Sequence, residues 1–333
     1  MFKRSKSTFI IIITLSSIIA TLWLRSDWEQ YWNSEQQFQI QEFKIKAGAT
    51  GNEIIKALEQ KGIIKSSFYL KFWLKLHHKK SSFKQGTYEF IGKLNLKAII
   101  QKLINGDEKL FSAQIIPGWT FQHAINQLKK NPHLQNDLQN INLIELLHLT
   151  HSTEGWIFPD TYHFPDGFKL SKLLILAKKR MAQILDSAWQ QKDETVRLSN
   201  SYDMLILASI VEKETSLKSE KNRIAGAFLL RLQKHMRLQT DPTVIYGIGA
   251  KFNGNITRKD LLNDNPYNTY TRFGLTPTPI ALPDKSSIMA VAHPEITDKL
   301  YFVADGSGGH SFSATLEEHN KKVRKYLLNK KKK

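Results

Sequence analysis

Two glutamates near the end of a predicted helix have the type and spacing for acid–base chemistry. They lie in the stretch Ala208–Thr215, which reads ASIVEKET. Helical spacing places Glu214 on one stripe with the aliphatic residues three, four and seven positions before it, whereas Glu212 points about 200° round the helix. Burial against aliphatic side chains and the negative end of a helix both favour a protonated carboxyl, which a general acid for glycosidic cleavage requires. Spacing alone favours the simpler alternative, in which both are solvated charges closing an amphipathic helix.

Polar and aromatic residues form three further stretches that are typical of a carbohydrate groove. Hydroxyl groups, amides and aromatic faces follow one another in Gln239–Tyr246, Tyr267–Tyr270 and Asp305–His310. Such groups hydrogen-bond to sugars and stack on them. Turns built on Asn and Asp, and tyrosines packed on a core, would give the same residues, so both interpretations stay open.

Several other chemistries are excluded by missing motifs. The chain contains no Cys, which excludes a disulfide scaffold, a thiolate zinc site and a cysteine nucleophile. The glycine-rich run at 306–309 is not followed by the Gly-Lys-Ser/Thr of a phosphate-binding loop, and no Gly-x-Ser-x-Gly is present. His293, His310 and His319 lack the His-Glu-x-x-His spacing of a metalloprotease. We therefore expect neither a metal nor a cofactor.

The large positive charge is concentrated at the two ends of the chain. The 333 residues carry 48 Lys+Arg and 30 Asp+Glu, a net charge of +18. Residues 1–24 contribute +3 and residues 321–333 contribute +8, which leaves +7 for everything between them. A nucleic-acid-binding domain carries its charge on a folded face, whereas terminal lysine runs are usually solvated tails. The distribution argues against nucleic acid as a partner.

The N-terminal segment has the composition of a membrane anchor. Phe9–Leu24 comprises sixteen residues without a charge, preceded by Lys3, Arg4 and Lys6. A helix of this length is slightly short for a hydrocarbon core of about 30 Å, and interfacial Trp23 and Trp28 can make up the difference. A cleaved signal peptide is the alternative, but no clear small-x-small cleavage site follows. We predict an uncleaved single-pass anchor with a cytoplasmic N-terminus, because basic residues precede it.

The rest of the chain alternates helical and strand patterns, which predicts a mixed α+β class. Helical spacing occurs over 52–61, 66–77 and 94–104, with short strands at 42–45 and 85–90. Further helices are predicted near 121–130, 143–149, 170–190, 201–215, 220–235 and 313–328, with strands at 111–116 and 300–304. Residues 26–41 are predicted to be a polar spacer.

Several motifs together resemble one bacterial family, the endolytic murein transglycosylases (the MltG or YceG-like family). The resemblance covers most of residues 40–328, and the motifs occur in the family's order behind an N-terminal anchor. They are Glu154–Tyr162, Ala208–Thr215, Met236–Gly247, Tyr267–Tyr270, Ala292–Pro294, Tyr301–His310 and Glu318–Asn320.

The resemblance implies a domain organisation and a location. It implies a membrane anchor at 1–25, the spacer at 26–41, a small LysM-like α/β module at 42–106, a YceG-like α+β catalytic domain at 107–328 and a basic tail at 329–333. The chain would be a single-pass protein of the bacterial inner membrane with a periplasmic catalytic domain. Its expected partners are peptidoglycan glycan strands, the membrane and cell-wall synthases.

The resemblance also implies a reaction and residues that carry it out. Glu214 would be the catalytic residue, with Glu212 as the alternative. The enzyme would cleave the MurNAc-β-1,4-GlcNAc bond of nascent strands, form 1,6-anhydroMurNAc ends and so terminate glycan elongation. Substrate-binding candidates are Gln239, Asp241, Tyr246, Asn268 and Tyr270. The alternative function is a non-catalytic, membrane-anchored scaffold that binds peptidoglycan and positions synthases.

Overall fold

The structure is a computed structural model that describes residues 3–76 and 83–328. It divides into two compact units, Met1–Phe111 with His163–Asp166, and Ser112–Tyr162 with Gly167–Lys333. The predicted basic tail at 329–333 and the end of the predicted helix at 66–77 lie outside the described residues. The mixed α+β class is confirmed.

One long N-terminal helix opens the first unit. Helix α1 (Lys3–Asn33) contains a stretch, Ile11–Asn33, that is long and apolar enough to cross a membrane, and its most apolar part is not buried in the protein. A signal sequence would pass the same test of length and composition. The helix continues beyond the last apolar residue, and the segment 26–41, predicted to be a polar spacer, forms the end of α1 and most of strand β1 (Glu35–Ile45).

The remainder of the first unit is a small layer of helices on a two-stranded sheet. Strand β1 pairs antiparallel with β2 (Gly86–Asn95), from Glu35 opposite Asn95 to Ile45 opposite Gly86. The connecting helices are α2 (Gly51–Gln60) and α3 (Ser67–Leu76), and α4 (Leu96–Asn105) follows β2. Thr50 and Glu53 form a reciprocal capping box that starts α2. The apolar faces of the three helices and the sheet enclose one core.

Helices make up most of the second unit. The first of them are α5 (Phe121–Leu128), α6 (Leu143–Leu146), α7 (Leu170–Gln190), α8 (Ser201–Glu214) and α9 (Lys218–Gln233). They are followed by α10 (Asp241–Ile248), α11 (Arg258–Leu262), α12 (Lys285–Ala292) and α13 (Leu316–Val323), the last continued by a wider turn, Arg324–Leu328. Strands β3 (Leu110–Gln114) and β5 (Thr161–Pro165), which pair with each other, each include residues of both units. The strands β4 (Leu134–Gln135), β6 (Phe168–Lys169), β7 (Tyr301–Ala304) and β8 (His310–Ser313) belong to the second unit, with β4 paired to β6 and β7 to β8.

Helix α8 forms the centre of the second unit. Every residue from Met204 to Val211 is buried, so α8 is enclosed on all sides over these eight residues and is not an amphipathic helix. It packs against α7, α9 and α12, whose apolar side chains complete the core. The helix is capped by the Asn200 side chain and ends at Glu214, because Thr215 is already extended. A fully enclosed helix fixes the position of its last residues.

Candidate active site

Glu214 lies at the C-terminus of α8, in the wall of an open groove. The groove has a volume of about 360 Å³. Its floor and walls come from the end of α8, the side of α9, the loop before α10, the hairpin β7–β8 and the start of α13. The lining residues are Glu214, Arg231, Leu238, Gln239, Thr240, Asp241, Tyr270, Tyr301, Phe302, Val303, Ala304, His310, Leu316 and His319.

The carboxyl group of Glu214 has the environment of a weak acid. Partial burial raises its pKa above the ordinary value, and Asp241 acts in the same direction. A hydrogen bond that the Thr240 hydroxyl donates to Oε1 of Glu214, together with the charges of His310 and Arg231, opposes this without cancelling it. The surroundings therefore favour the protonated form of Glu214, and the Thr240 hydroxyl provides a hydrogen-bond donor when Glu214 is a carboxylate.

Arg231 is a structural cation rather than a free one. Its guanidinium is buried and donates to the carbonyl oxygens of Leu300 at 2.6 Å and Leu238 at 2.7 Å. These bonds join α9 to the chain entering β7 and to the loop before α10. Arg231 thus holds two walls of the groove together, and its charge faces Glu214.

Glu212 faces away from the groove and is committed to a buried ion-pair network. Its Oε2 accepts hydrogen bonds from Lys221 Nζ at 3.0 Å, Ser287 Oγ at 2.6 Å and the backbone N–H of Asp284 at 3.1 Å. Lys221 also contacts Asp284 at 3.0 Å. This network ties α8 to α9 and α12. The two glutamates therefore occupy different environments, as their angular separation on the helix predicts.

A histidine–glutamate pair lies beside Glu214. Glu220, at the start of α9, accepts hydrogen bonds from the backbone N–H of His310 at 2.8 Å and contacts His310 Nδ1 at 2.9 Å. Burial acts to raise the pKa of Glu220, but these bonds outweigh it and lower the pKa. A side chain at Gly309 would put its Cβ 2.7 Å from Glu220 Oε1, so glycine permits this approach. The sequence places His310 at the end of a glycine-rich candidate groove stretch, Asp305–His310, but does not predict its pairing with Glu220.

Three of the predicted substrate-binding residues line the groove with Glu214. They are Gln239, Asp241 and Tyr270. The Tyr270 hydroxyl donates to Asp241 Oδ1 at 2.6 Å, which fixes the two side chains relative to each other. Gln239 is exposed and has a φ of 50°, a left-handed conformation that residues other than glycine seldom adopt. Its backbone N–H donates to the Thr269 carbonyl at 3.1 Å, which holds this loop against the one that carries Tyr270.

The other two predicted substrate-binding residues, Tyr246 and Asn268, do not line this groove. Asn268 is fully buried, and its amide donates to the carbonyls of Asp260, Leu261 and Asn263 at 2.8–3.2 Å. Its Oδ1 accepts the backbone N–H of Tyr270 at 2.9 Å. These hydrogen bonds make Asn268 a buried residue that holds the loop in its conformation. The prediction that Asn268 binds substrate is wrong, because its side chain is not at the surface.

Tyr246 belongs to a second buried carboxyl site, centred on Glu154. The Tyr246 hydroxyl donates to Glu154 Oε2 at 3.2 Å, and the backbone N–H of Phe121 donates to Oε1 at 2.8 Å. Burial raises the pKa of Glu154 to about 7, although these two bonds lower it. Glu154 therefore joins the N-terminus of α5 to α10. The motif Glu154–Tyr162 is visible in the sequence, but the sequence predicts no role for Glu154 itself.

The chain is similar to known proteins over most of its length. The model of the YceG-like family matches residues 43–325. A Bacillus subtilis (strain 168) protein named endolytic murein transglycosylase is 34% identical over 313 residues, which cover 86% of this chain and 84% of that protein. A Streptococcus pneumoniae (strain R6) protein of the same name is 26% identical; the match covers 86% of this chain but 58% of that longer protein.

A solved structure has the same fold. The crystal structure of a yceG-like protein from Listeria monocytogenes matches with a TM-score of 0.53 at 28% sequence identity. The match covers 85% of this chain and 99% of that one. Because the family model spans most of the chain and the Bacillus relative matches over most of its own length, the chain belongs to the YceG-like family.

Proposed function

We propose that this chain is an endolytic peptidoglycan lytic transglycosylase in which Glu214 transfers the reacting proton. Its relatives from Bacillus and Streptococcus carry the name of that enzyme class. The observation that carries the proposal is the setting of Glu214: a carboxyl with a raised pKa, at the end of a fully enclosed helix, in the wall of an open polar groove. A raised pKa keeps a general acid protonated near neutral pH.

In the proposed reaction Glu214 first donates a proton and then accepts a different one. The protonated carboxyl donates to the glycosidic oxygen between MurNAc and GlcNAc, and the bond from that oxygen to C1 of MurNAc breaks. The carboxylate then accepts the proton of the MurNAc C6 hydroxyl, whose oxygen forms a new bond to C1 and closes the 1,6-anhydro ring. No water is consumed. Because the nucleophile belongs to the substrate, a second carboxylate to activate water is not required, unlike in ordinary inverting glycosidases.

The surroundings of Glu214 can serve both halves of this cycle. Burial favours the acid before the bond breaks, and the Thr240 hydroxyl stabilises the carboxylate that follows. Asp241 lies in the same groove, where its negative charge complements the positive charge that develops on MurNAc. Gln239 and Tyr270 supply an amide and an aromatic face for the sugar rings. Together these residues form the proposed substrate-binding surface.

The proposed location follows from α1 and the charges before it. The basic residues Lys3, Arg4 and Lys6 precede the apolar stretch, which favours a cytoplasmic N-terminus. The enzyme would then be a single-pass protein of the inner membrane with its groove in the periplasm, near the strands that synthases produce. Cleavage there would terminate glycan elongation. The unit containing β1 and β2 would be the LysM-like module that binds glycan.

Paired substitutions of two buried glutamates test the proposal. Glu214→Gln keeps the shape of the side chain but removes the titrating proton, so we expect release of anhydro-ended fragments from purified peptidoglycan to fall at least about 100-fold. The matched control is Glu154→Gln, which alters a second buried carboxyl of raised pKa outside the groove. Thermal unfolding of both variants reports whether the fold is retained.

Each outcome of this comparison has a definite meaning. Loss of activity in Glu214→Gln with activity retained in Glu154→Gln supports the proposal. The opposite result assigns the proton transfer to Glu154, and full activity in both variants refutes the mechanism. Peptidoglycan binding without any new anhydro ends, even in the unaltered chain, would instead identify a scaffold that does not cut.

A further inference from the structure

Helix α3 presents an exposed aromatic face directly beside the proposed membrane anchor. Phe68 and Phe72, one helical turn apart, are 67% and 51% exposed. Leu70 and Leu74, on the opposite face, are fully buried in the core of the first unit. The helix is therefore held by one side, and more than half of the surface of each phenylalanine remains exposed. Exposed aromatic side chains paired in this way mark an interaction surface.

The same helix is fixed rigidly to the part of α1 that follows the apolar stretch. Trp32 lies over Trp73 with 5.1 Å between ring centroids, and Tyr31 lies 4.7 Å from Tyr69. The Tyr69 hydroxyl also donates to the Asp27 carboxylate. The position of α3 along α1 is thus determined by several contacts.

These contacts place Phe72 near the end of the apolar stretch of α1, and Phe68 lies one turn before it on the same face of α3. Trp28 contacts Phe72 edge-to-face, with centroids 6.1 Å apart. Trp28 comes four residues after Leu24, the last apolar residue of the stretch, which corresponds to about 6 Å along the helix axis. Amphipathic helices that lie on bilayers bury their apolar face to a depth of about 5–10 Å at the boundary of headgroups and acyl chains. The spacing suits such an arrangement.

The charges next to this face also suit a phospholipid surface. Lys71 and Lys75 are exposed one turn apart on α3, and Lys65 is exposed just before it. Two acidic groups contact α3: Glu59 accepts the backbone N–H of Ser67 at 2.8 Å, and Asp27 accepts a hydrogen bond from Tyr69. Basic side chains near a bilayer interact favourably with anionic headgroups.

From these observations we propose that the aromatic face of α3 docks onto the phospholipid bilayer that α1 enters. Phe68 and Phe72 insert at the boundary of headgroups and acyl chains, and Lys71 and Lys75 contact anionic headgroups. The first unit is then held against the membrane surface by two elements instead of one. The inference rests on α1 being a membrane anchor, which is part of the proposed function, but not on the chemistry at Glu214.

The absence of cysteine from the chain makes a direct test possible. The full chain is reconstituted into nanodiscs of phosphatidylethanolamine and phosphatidylglycerol, with single cysteines carrying the fluorophore NBD. The reporting positions are Phe68→Cys and Phe72→Cys. Ile18→Cys, in α1, reports the anchor, and Lys56→Cys, at an exposed position of α2, is the matched control in the same unit. Quenching by nitroxide-labelled lipid is compared with quenching by aqueous iodide.

The expected result is lipid quenching at positions 18, 68 and 72, with iodide quenching at 68 and 72 reduced severalfold relative to position 56. Lipid quenching at position 18 together with iodide access at 68 and 72 equal to that at 56 would overturn the docking inference while leaving the anchor intact. Absence of lipid quenching at position 18 would refute the anchor itself and the inference with it. In Lys71→Gln/Lys75→Gln we expect weaker lipid quenching at position 72, because the attraction to anionic headgroups is removed.

Discussion

Replacing Lys221 by methionine tests whether the glutamate that faces away from the groove is structural. Lys221 is 3% exposed and lies 3.0 Å from both Glu212 and Asp284, whose side chains are 8% and 21% exposed. Lys221→Met removes the ammonium group at similar volume and leaves two neighbouring carboxylates without their cation. Breaking a buried ion pair in this way costs about 3–5 kcal/mol. At about 2–4 °C per kcal/mol for a unit of this size, the melting temperature should fall by about 6–20 °C.

Calorimetry of the full chain at neutral pH measures this loss, and a double-mutant cycle with Glu212→Gln identifies its origin. If the cost comes from an uncompensated carboxylate, Lys221→Met/Glu212→Gln should be destabilised by clearly less than the sum of the two single variants. Activity per folded molecule should be unchanged. A loss of less than about 1 kcal/mol, as for a surface pair, would refute the reasoning. So would additive single and double variants, because the two side chains would then not be coupled.

Three further predictions concern Asp241, Asp284 and Asn268. Because the Asp241 charge helps to raise the pKa of Glu214, Asp241→Asn should move the alkaline limb of the pH–rate profile to lower pH. Burial acts to raise the pKa of Asp284, but hydrogen bonds from Ser286, Ser287 and Lys221 outweigh it and lower the pKa from 3.8 to about 2. In acid unfolding, the contribution of Asp284 to stability should therefore be present above pH 3.8 and disappear as the pH falls towards about 2. Asn268→Ala should leave buried carbonyls without donors, cost roughly 1–3 kcal/mol in denaturant unfolding and raise KM by loosening the Tyr270 loop.

The sequence predicted the helices more reliably than their environments. Periodicity identified the positions of α2, α4, α7 and α9 closely, because each covers a core with one face or lies between turn signals. It also identified α8, predicted at 201–215 and found at Ser201–Glu214. It did not show that α8 is enclosed by α7, α9 and α12, since burial on all sides depends on elements distant in sequence. The polar composition of 26–41 likewise concealed the end of α1 and a strand that pairs with β2. The polar residues of β1 form a strand because they pair with β2, and composition alone does not indicate such pairing.

The same limit applies to the residues of the candidate site. The angular separation of the two glutamates followed from helix geometry alone, and the structure places them in different environments accordingly. The sequence does not distinguish Asn268 and Tyr246 from residues that line the groove. An amide that holds a loop and a hydroxyl that contacts a buried carboxyl have the same sequence signature as groups that face solvent. The pairing of Glu220 with His310, ninety residues apart, exists only through the fold.

Cleavage of purified glycan strands in water enriched in ¹⁸O tests the central claim most directly. If Glu214 transfers the proton and the MurNAc C6 hydroxyl is the nucleophile, mass spectrometry should show new MurNAc ends in the 1,6-anhydro form, without ¹⁸O. The same ends should be missing after incubation with Glu214→Gln. New reducing ends that carry ¹⁸O would show that water attacks C1, which contradicts the proposed mechanism.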